Sequence, residues 1–323
     1  MLFFRGTHVT IPALKPGRAI EGISAVLLPY LPDDRPDWES FRALLDRTWA
    51  AGLTPAVNMD TGYVNLISPA ERARVLAETV EVGHGRAFVA GAFIQGEPGD
   101  PVHLYLREVA AIRAAGGTPI LFQCSALTAL SEDGVFNVYA GVAAEGGPML
   151  AFELGTMFAP FGRIYSDDLF RRIIGLDAFV GAKHSSLDRT VEWRRLELRD
   201  QHRPGFKVYT GNDLAIDMVF YGSDYLLGLS AFHVEAFAAR DRLWHSGDPR
   251  AFLLNDLLQY LGQLAFRAPV PAYKHSAAQF LKLRGLVGTD RPHPRGATRP
   301  ASDVPLLNDI VDRLDDAMKG LES

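Results

Sequence analysis

The sequence has little cysteine and no long apolar run. Its single cysteine, Cys124, cannot form a disulfide within the chain, and such low cysteine usage is typical of a reducing compartment. No stretch reaches the roughly 18 uninterrupted apolar residues that a membrane-spanning helix needs. Residues 1–14 lack the basic segment and long apolar segment of a secretory signal. We therefore expect a cytoplasmic protein with no membrane partner.

An excess of basic residues is also absent. The chain carries 33 Lys and Arg against 38 Asp and Glu, and its formal net charge is −5. This balance provides no basic surface for nucleic acid. No P-loop motif occurs, no Gly-x-Gly-x-x-Gly follows a predicted strand, and His, Cys, Asp and Glu do not occur at metal-ligand spacing. We expect no nucleic-acid partner, no metal and no cofactor.

What the sequence does contain is an alternation of short apolar runs with longer amphipathic stretches. In the first unit, residues 23–28 are apolar, and Phe41, Leu44 and Leu45 then recur at helical spacing. About eight such units follow one another, which predicts an α/β protein with a parallel sheet. Eight units favour closure into a (β/α)8 TIM barrel.

The alternation ends near residue 245, and the rest of the chain has helical periodicity with Pro and Gly at the breaks. We predict a barrel over residues 1–245 and a C-terminal helical region over residues 246–323.

Candidate functional residues follow from the architecture, because barrel enzymes carry their catalytic groups at the C-terminal ends of strands and in the loops that follow. Polar or glycine residues stand at these places after five predicted strands. They are Asn58, Asp60, Thr61 and Gly62; Glu153; Lys183, His184, Ser185 and Ser186; Thr210, Gly211, Asn212 and Asp213; and Ser230 and His233.

Lys183 stands out among these candidates. The chain has only six lysines, and Lys183 follows the apolar residues 179–182. A desolvated lysine can be driven toward the neutral amine, which arginine cannot. Imine chemistry with a carbonyl compound needs that neutral amine. The alternative is a lysine that pairs with a carboxylate at the barrel mouth.

The other candidates each have a plain structural reading beside the functional one. Glu153 directly follows an apolar strand, so its carboxylate must be paired or functional. His184 and His233 could exchange protons near neutral pH or simply be hydrogen-bonded. Residues 60–62 could bind an anion or form an ordinary turn. Residues 211–213 could likewise be only a turn or helix cap.

Three segments carry a more specific pattern. Residues 66–72 (LISPAER) are similar to an LSPEER helix start, residues 180–188 (VGAKHSSLD) to a VGIKDSSGD motif, and residues 209–213 (YTGND) to an SGDD turn. In this order they resemble the dihydrodipicolinate synthase / N-acetylneuraminate lyase family of class I aldolases, over residues 22–294. The resemblance implies a (β/α)8 barrel, a C-terminal helical region, an imine on Lys183 and a homo-oligomer, either a tetramer or a dimer.

The departures from that family concern the groups around the lysine. Where the family has a GTTGE loop for a pyruvate carboxylate, only Thr61 and Gly62 match. Asp60 replaces a hydroxyl there and would repel a substrate carboxylate. The catalytic tyrosine of the family corresponds to Phe152, with Glu153 beside it. The usual proton relay is therefore missing, and Asp60, Glu153 or His184 would have to transfer protons.

Two readings of the site remain open. In the first, Lys183 forms an imine with a small carbonyl substrate, and Glu153 or Asp60 acts as acid and base. In the second, Glu153 points out of the barrel, as strand alternation after Phe152 suggests, and the pocket is remodelled or inactive. The predicted ligand-binding residues are Thr61, Gly62, Phe152, His184, Ser185, Gly211, Asn212, Asp213 and His233.

The first reading predicts a lyase that cleaves or forms a C–C bond in a keto sugar, keto sugar acid or 2-oxo acid. A dehydratase that uses the same imine is an alternative. A barrel that binds a metabolite without catalysis is another.

Overall fold

In a computed structural model, which describes residues 11–322, eight parallel strands form a closed barrel. Each strand pairs with the next one in sequence, and β8 pairs with β1. The strands are β1 (Gly22–Ala25), β2 (Thr54–Val57), β3 (Val89–Ala92), β4 (Thr118–Leu121), β5 (Met149–Leu154), β6 (Phe179–Ser185), β7 (Lys207–Thr210) and β8 (Asp224–Leu227). The predicted (β/α)8 barrel is confirmed.

Helices cover the outside of the barrel and form the end of the chain. They are α1 (Trp38–Ala50), α2 (Pro69–Gly83), α3 (Pro101–Ala114), α4 (Ser125–Thr128), α5 (Glu132–Ala143), α6 (Asp167–Ile174), α7 (Arg189–His202), α8 (Val234–Ser246), α9 (Arg250–Ala265), α10 (Tyr273–Leu283) and α11 (Asp303–Glu322). None of the helices within residues 11–322 is long and apolar enough to cross a membrane.

The start of α2 illustrates how local sequence sets these boundaries. The Ser68 hydroxyl accepts a hydrogen bond from the Glu71 backbone N–H at 3.2 Å, and the Glu71 carboxylate accepts one from the Ser68 N–H at 2.7 Å. This reciprocal capping box satisfies two backbone donors that the first turn would otherwise leave unpaired. The helix start that the LISPAER segment indicates is therefore present, with Ser68 as its N-cap.

The connection after β7 is a 3-10 helix over Ile216–Tyr221 instead of the longer amphipathic helix that the repeated pattern predicts. Only residues 211–223 join β7 to β8, close to the minimum length of a parallel crossover. The tighter helix fits this short connection.

The register between β5 and β6 decides which side chains face the barrel interior. Phe152 lies opposite Lys183, and Glu153 lies opposite His184. Side chains alternate between the two faces of a strand. Phe152 and Lys183 therefore share the inner face, whereas Glu153 and His184 point outward toward the helices.

The C-terminal helices pack on one another and return to the mouth of the barrel. Helix α8 ends at Ser246, and α11 packs against both α9 and α10. A short 3-10 helix (Val270–Ala272) leads into α10, whose first residues lie beside the loop after β2. The division of the chain at residues 245 and 246 stays a prediction, but the C-terminal region contributes side chains to the site described next.

Candidate active site

Lys183 lies on β6, and its side chain is 8% exposed. Its Nζ atom is 4.8 Å from the centroid of the Phe152 ring. Within residues 11–322 the Lys183 amine makes no hydrogen bond or ion pair. The geometry therefore does not support the alternative in which Lys183 pairs directly with a carboxylate. Burial lowers the pKa of Lys183 to about 8, against the opposing charges of Asp213 and Asp60. A substantial neutral fraction is therefore present near physiological pH.

Asp213 supplies the carboxyl group that interacts most with this amine. It follows β7, is buried, and accepts a hydrogen bond from the Leu229 N–H at 2.8 Å. Burial raises the pKa of Asp213 to about 7, although the Leu229 N–H and Lys183 both favour the ionised form. A carboxyl that titrates near neutrality is suited to general acid and base catalysis. The residue was predicted to bind ligand, and its chemistry extends that prediction to proton transfer.

Gly211 allows β6 and the loop after β7 to approach each other. A Cβ atom at this position would lie 2.0 Å from the Ser185 Oγ and 2.8 Å from the Lys183 Cε. Both distances are far below van der Waals contact, so only glycine leaves room for the lysine side chain. Ser185, two residues after Lys183 on the same strand, is buried on the same face. The structure therefore brings Lys183, Ser185, Gly211 and Asp213 together.

Asn212, predicted to bind ligand, uses its side chain to hold the loop after β6. Its Oδ1 accepts a hydrogen bond from the Leu187 N–H at 2.6 Å, and its amide nitrogen donates to the buried carboxylate of Glu192. Leu187 has a φ of +57°, a conformation that is unfavourable for a branched side chain. Asn212 therefore stabilises a strained turn a few residues after Lys183, and both polar ends of its amide are used.

Glu153 and His184 lie outside the barrel interior, and the predicted proton-transfer role of Glu153 needs correction. Arg195 donates to both oxygens of Glu153 at 2.9 Å, the Tyr165 N–H donates at 2.8 Å, and His184 Nδ1 lies 2.8 Å away. Burial alone would raise the pKa of Glu153, but Arg195 and His184 together hold it at about 2. Such a carboxylate stays ionised and cannot shuttle protons near neutral pH.

Asp60, the third predicted catalytic residue, is held by two residues of α10. Lys274 Nζ lies 2.9 Å and 3.0 Å from its two carboxylate oxygens, and the Tyr273 hydroxyl donates to Oδ2 at 2.9 Å. The Thr61 hydroxyl lies 2.9 Å from the Tyr273 hydroxyl. Gly62 packs against the residue that follows β1, because an added Cβ would lie 3.3 Å from the Val26 carbonyl oxygen.

Tyr273 and Lys274 were not among the predicted site residues. Lys274 is one of only six lysines in the sequence. This scarcity is the one sequence feature that could have marked Lys274 as a candidate site residue. Nothing local connected it with Asp60, because the two residues are 214 positions apart.

A row of phenylalanines forms the wall of the barrel interior next to Lys183. The rings of Phe93 and Phe122 are 5.3 Å apart, and those of Phe122 and Phe152 are 5.0 Å apart, both in edge-to-face contact. Phe152 is fully buried and carries no hydroxyl. This wall offers no proton donor. The polar groups near Lys183 instead follow β2, β7 and β8.

His233 caps α8 and does not join the cluster around Lys183. Its Nδ1 accepts a hydrogen bond from the Ala236 N–H at 3.2 Å, and burial lowers its pKa. The helix-capping hydrogen bond therefore explains His233 better than the predicted contact with a ligand does. Among residues 11–322, no three His, Cys, Asp or Glu side chains converge so that they could hold a metal ion.

Solved structures with the same architecture belong to the dihydrodipicolinate synthase family. YagE of E. coli K12, described as a prophage protein of that family in complex with pyruvate, is 15% identical with a TM-score of 0.78, over 92% of this chain and 98% of its own. The dihydrodipicolinate synthase of Thermotoga maritima is 17% identical with a TM-score of 0.76, over 92% and 99%. At this identity the likeness shows the fold, for which the predicted family resemblance is confirmed.

The chain is thus a (β/α)8 barrel with the fold of the dihydrodipicolinate synthase structures. More narrowly, the chain belongs to the DUF993 family, described as "Protein of unknown function", whose model matches residues 28–291. A sequence comparison with curated proteins finds no match.

Proposed function

We propose that this protein is a Schiff-base-forming lyase in which Lys183 carries the imine. The observation that supports this most is a buried lysine amine with a pKa of about 8 and no direct ion-pair partner within the described residues. An ordinary surface lysine is almost fully protonated at neutral pH and is a poor nucleophile. The substrate class is a small carbonyl compound: a keto sugar, keto sugar acid or 2-oxo acid.

The chemistry begins with attack of the neutral Lys183 amine on the substrate ketone. The resulting carbinolamine loses water to give a protonated imine, and the oxygen leaves with protons supplied by a nearby acid. The iminium then withdraws electrons. When the bond between the α and β carbons breaks, the bonding pair moves to form an enamine. A base accepts the proton of the hydroxyl group on the β carbon, whose oxygen becomes the carbonyl oxygen of the departing fragment. Proton return to the enamine carbon and hydrolysis free the amine.

Asp213 is the group that we assign to these proton transfers. Its pKa of about 7 lets it act as an acid in one step and a base in the next. Asp60 is a poorer candidate, because Lys274 and Tyr273 occupy its carboxylate. Glu153 is excluded from this role by its ion pair with Arg195.

Reductive trapping tests the proposal directly. The protein is incubated with small ketones, including pyruvate, hydroxyacetone and dihydroxyacetone, then treated with borohydride and analysed by intact mass and peptide mapping. We expect a reduced adduct on Lys183. Absence of an adduct with every ketone in the panel would overturn the proposal.

Two conservative variants make the trapping specific. Lys183→Arg keeps the charge but removes the nucleophilic amine, so the adduct should disappear. Lys207→Arg is the matched control, because Lys207 lies on the neighbouring strand and is bound to Asp224 at 2.9 Å. The adduct should remain in this control. An equal adduct in Lys183→Arg would show that the reaction is unspecific.

Product mass separates cleavage from loss of water once a substrate is found. A lyase of the aldolase type gives two carbonyl fragments, whereas a dehydratase gives one product lighter by the mass of water. Thermal stabilisation by a ketone without any imine would instead indicate a binding protein and would contradict the proposal. The expected homo-oligomer stays a prediction, which light scattering of the purified protein would test.

A further inference from the structure

The loop after β2 and the start of α10 form a buried polar subsite, which consists of Asp60, Thr61, Tyr273 and Lys274. The side chains of Thr61, Tyr273 and Lys274 are each almost fully buried. Hydrogen bonds connect Thr61 to Tyr273 and Tyr273 to Asp60. Lys274 forms an ion pair with both carboxylate oxygens of Asp60.

The direction of each hydrogen bond in this subsite can be deduced. An ionised carboxylate only accepts, so the Tyr273 hydroxyl must donate its one proton to Asp60. Burial and the Asp60 charge raise the pKa of Tyr273 well above its usual value, which keeps the phenol protonated. Because that proton is used, Tyr273 accepts from Thr61. The Thr61 hydroxyl proton is then used as well, and Thr61 can offer a ligand only its lone pairs.

Acceptors therefore dominate the side chains of the subsite. Asp60 retains one unused lone pair, on Oδ1, since each carboxylate oxygen can accept two hydrogen bonds and Tyr273 and Lys274 use the other three sites. Lys274 is the one cation of the subsite, and both Asp60 oxygens already bind it. A ligand carboxylate, which also brings only acceptors, would find at most the third N–H of Lys274 as a side-chain donor, because Asp60 takes the other two, and it would face the charge of Asp60. A ligand hydroxyl would instead donate to Asp60 or Thr61.

This subsite lies close to the proposed imine lysine. Asp60 is one of the two charges that raise the pKa of Lys183 against its burial. At the end of β8, a Cβ on Gly228 would lie 3.0 Å from the Tyr273 ring and 3.1 Å from the Thr61 hydroxyl. The next residue, Leu229, donates its N–H to Asp213. The acceptor groups and the amine thus border the same end of the barrel.

We infer that Lys183 acts on a hydroxy ketone, with a hydroxyl group next to or near the carbonyl bound by Asp60 and Thr61, in preference to a 2-oxo acid. This inference rests on the proposed function. It narrows the three substrate classes to those that present hydroxyl donors rather than a carboxylate at this subsite.

Competitive reductive trapping tests the inference. Dihydroxyacetone and pyruvate are offered at equal concentration with borohydride, and the two Lys183 adducts are quantified by mass. Their ratio is divided by the ratio obtained with Nα-acetyl-lysine, which removes the difference in intrinsic reactivity. We expect at least a tenfold preference for dihydroxyacetone. Equal or preferred trapping of pyruvate on Lys183 would overturn this inference and leave the proposed imine function standing.

Variants of the subsite should change that ratio. Asp60→Asn removes the charge and frees Lys274 for a carboxylate, so the ratio should shift toward pyruvate by tenfold or more. The control is Asp290→Asn, which breaks an exposed ion pair with Lys282 at 2.8 Å and should leave the ratio unchanged. An unchanged ratio in a folded Asp60→Asn protein would also contradict the inference.

A milder variant covers the case in which Asp60→Asn does not fold. Thr61→Val removes one acceptor at almost constant volume and should slow trapping of dihydroxyacetone but not of pyruvate. Equal slowing of both ketones would contradict a role in hydroxyl recognition. If no ketone is trapped by the wild-type protein, the proposed function fails, and this inference fails with it.

Discussion

Lys183 and Asp213 hold each other nearer to their charged forms in a buried site that favours the neutral form of both. Burial lowers the pKa of Lys183 to about 8 and raises that of Asp213 to about 7, and each group opposes the shift of the other. Burial thus moves both groups toward titration near neutral pH. Such a pair suits a reaction that needs a free amine and then a proton donor.

Replacing Asp213 by asparagine should lower the pKa of Lys183 further. The carboxylate is the largest influence that opposes the effect of burial on the lysine, so its removal favours the neutral amine. The pH midpoint for acetylation of Lys183 by acetic anhydride, followed by peptide mass, should therefore move to lower pH. The same midpoint at exposed Lys319 serves as the internal reference. A shift to higher pH would contradict the proposed interaction.

The same variant should separate imine formation from turnover. If Asp213 transfers protons, Asp213→Asn should lower kcat by roughly 10²- to 10⁴-fold, the usual contribution of a general acid or base. Trapping of a ketone on Lys183 should become slower, because Asp213 also supplies protons for the loss of water, but the adduct should still form. Asp217→Asn, in the same β7–β8 connection but paired with Arg189 at 2.7 Å, is the control and should keep most activity. Equal kcat in both variants would remove Asp213 from the mechanism.

The barrel and the position of Lys183 were predictable because both depend on local patterns. The alternation of apolar runs and amphipathic helices is visible within each unit, and a rare lysine after an apolar strand marks one strand end. The rule that barrel sites lie at the C-terminal ends of strands also placed Asp60 and Asp213 near that lysine.

The partners of these residues were not predictable, because they are distant in sequence. Tyr273 reaches Asp60 across 213 positions, and Arg195 reaches Glu153 across 42. A carboxylate after an apolar strand had to be paired or functional, and only the fold could show that Glu153 is paired. Local sequence therefore identified which residues need a partner, while packing of distant elements decided which partner each one has.

Gly211→Ala should displace the side chain of Lys183 or Ser185. The added methyl group would lie 2.0 Å from the Ser185 Oγ and 2.8 Å from the Lys183 Cε, so one of these side chains must move. Overpacking of this kind costs about 1–3 kcal/mol in stability. Trapping on Lys183 should slow at least tenfold. Gly205→Ala is the matched control, since nothing lies within 4 Å of its added Cβ, and it should trap normally.

Glu153→Gln should destabilise the protein by about 3 kcal/mol at pH 7, because it leaves the buried Arg195 with only the half-exposed Asp167 as a charged partner. The pKa of Glu153 is about 2 in the folded protein, below its ordinary value of 4.5. Its contribution to stability is therefore complete above about pH 4.5 and is lost as pH falls toward 2. The difference in Tm between wild type and variant should be largest at neutral pH and narrow below pH 4.5. Glu81→Gln, which removes an exposed partner of Arg42 at 3.3 Å, should change stability by less than about 1 kcal/mol. A constant Tm difference from pH 7 to 3 would show that Glu153 does not act through its charge.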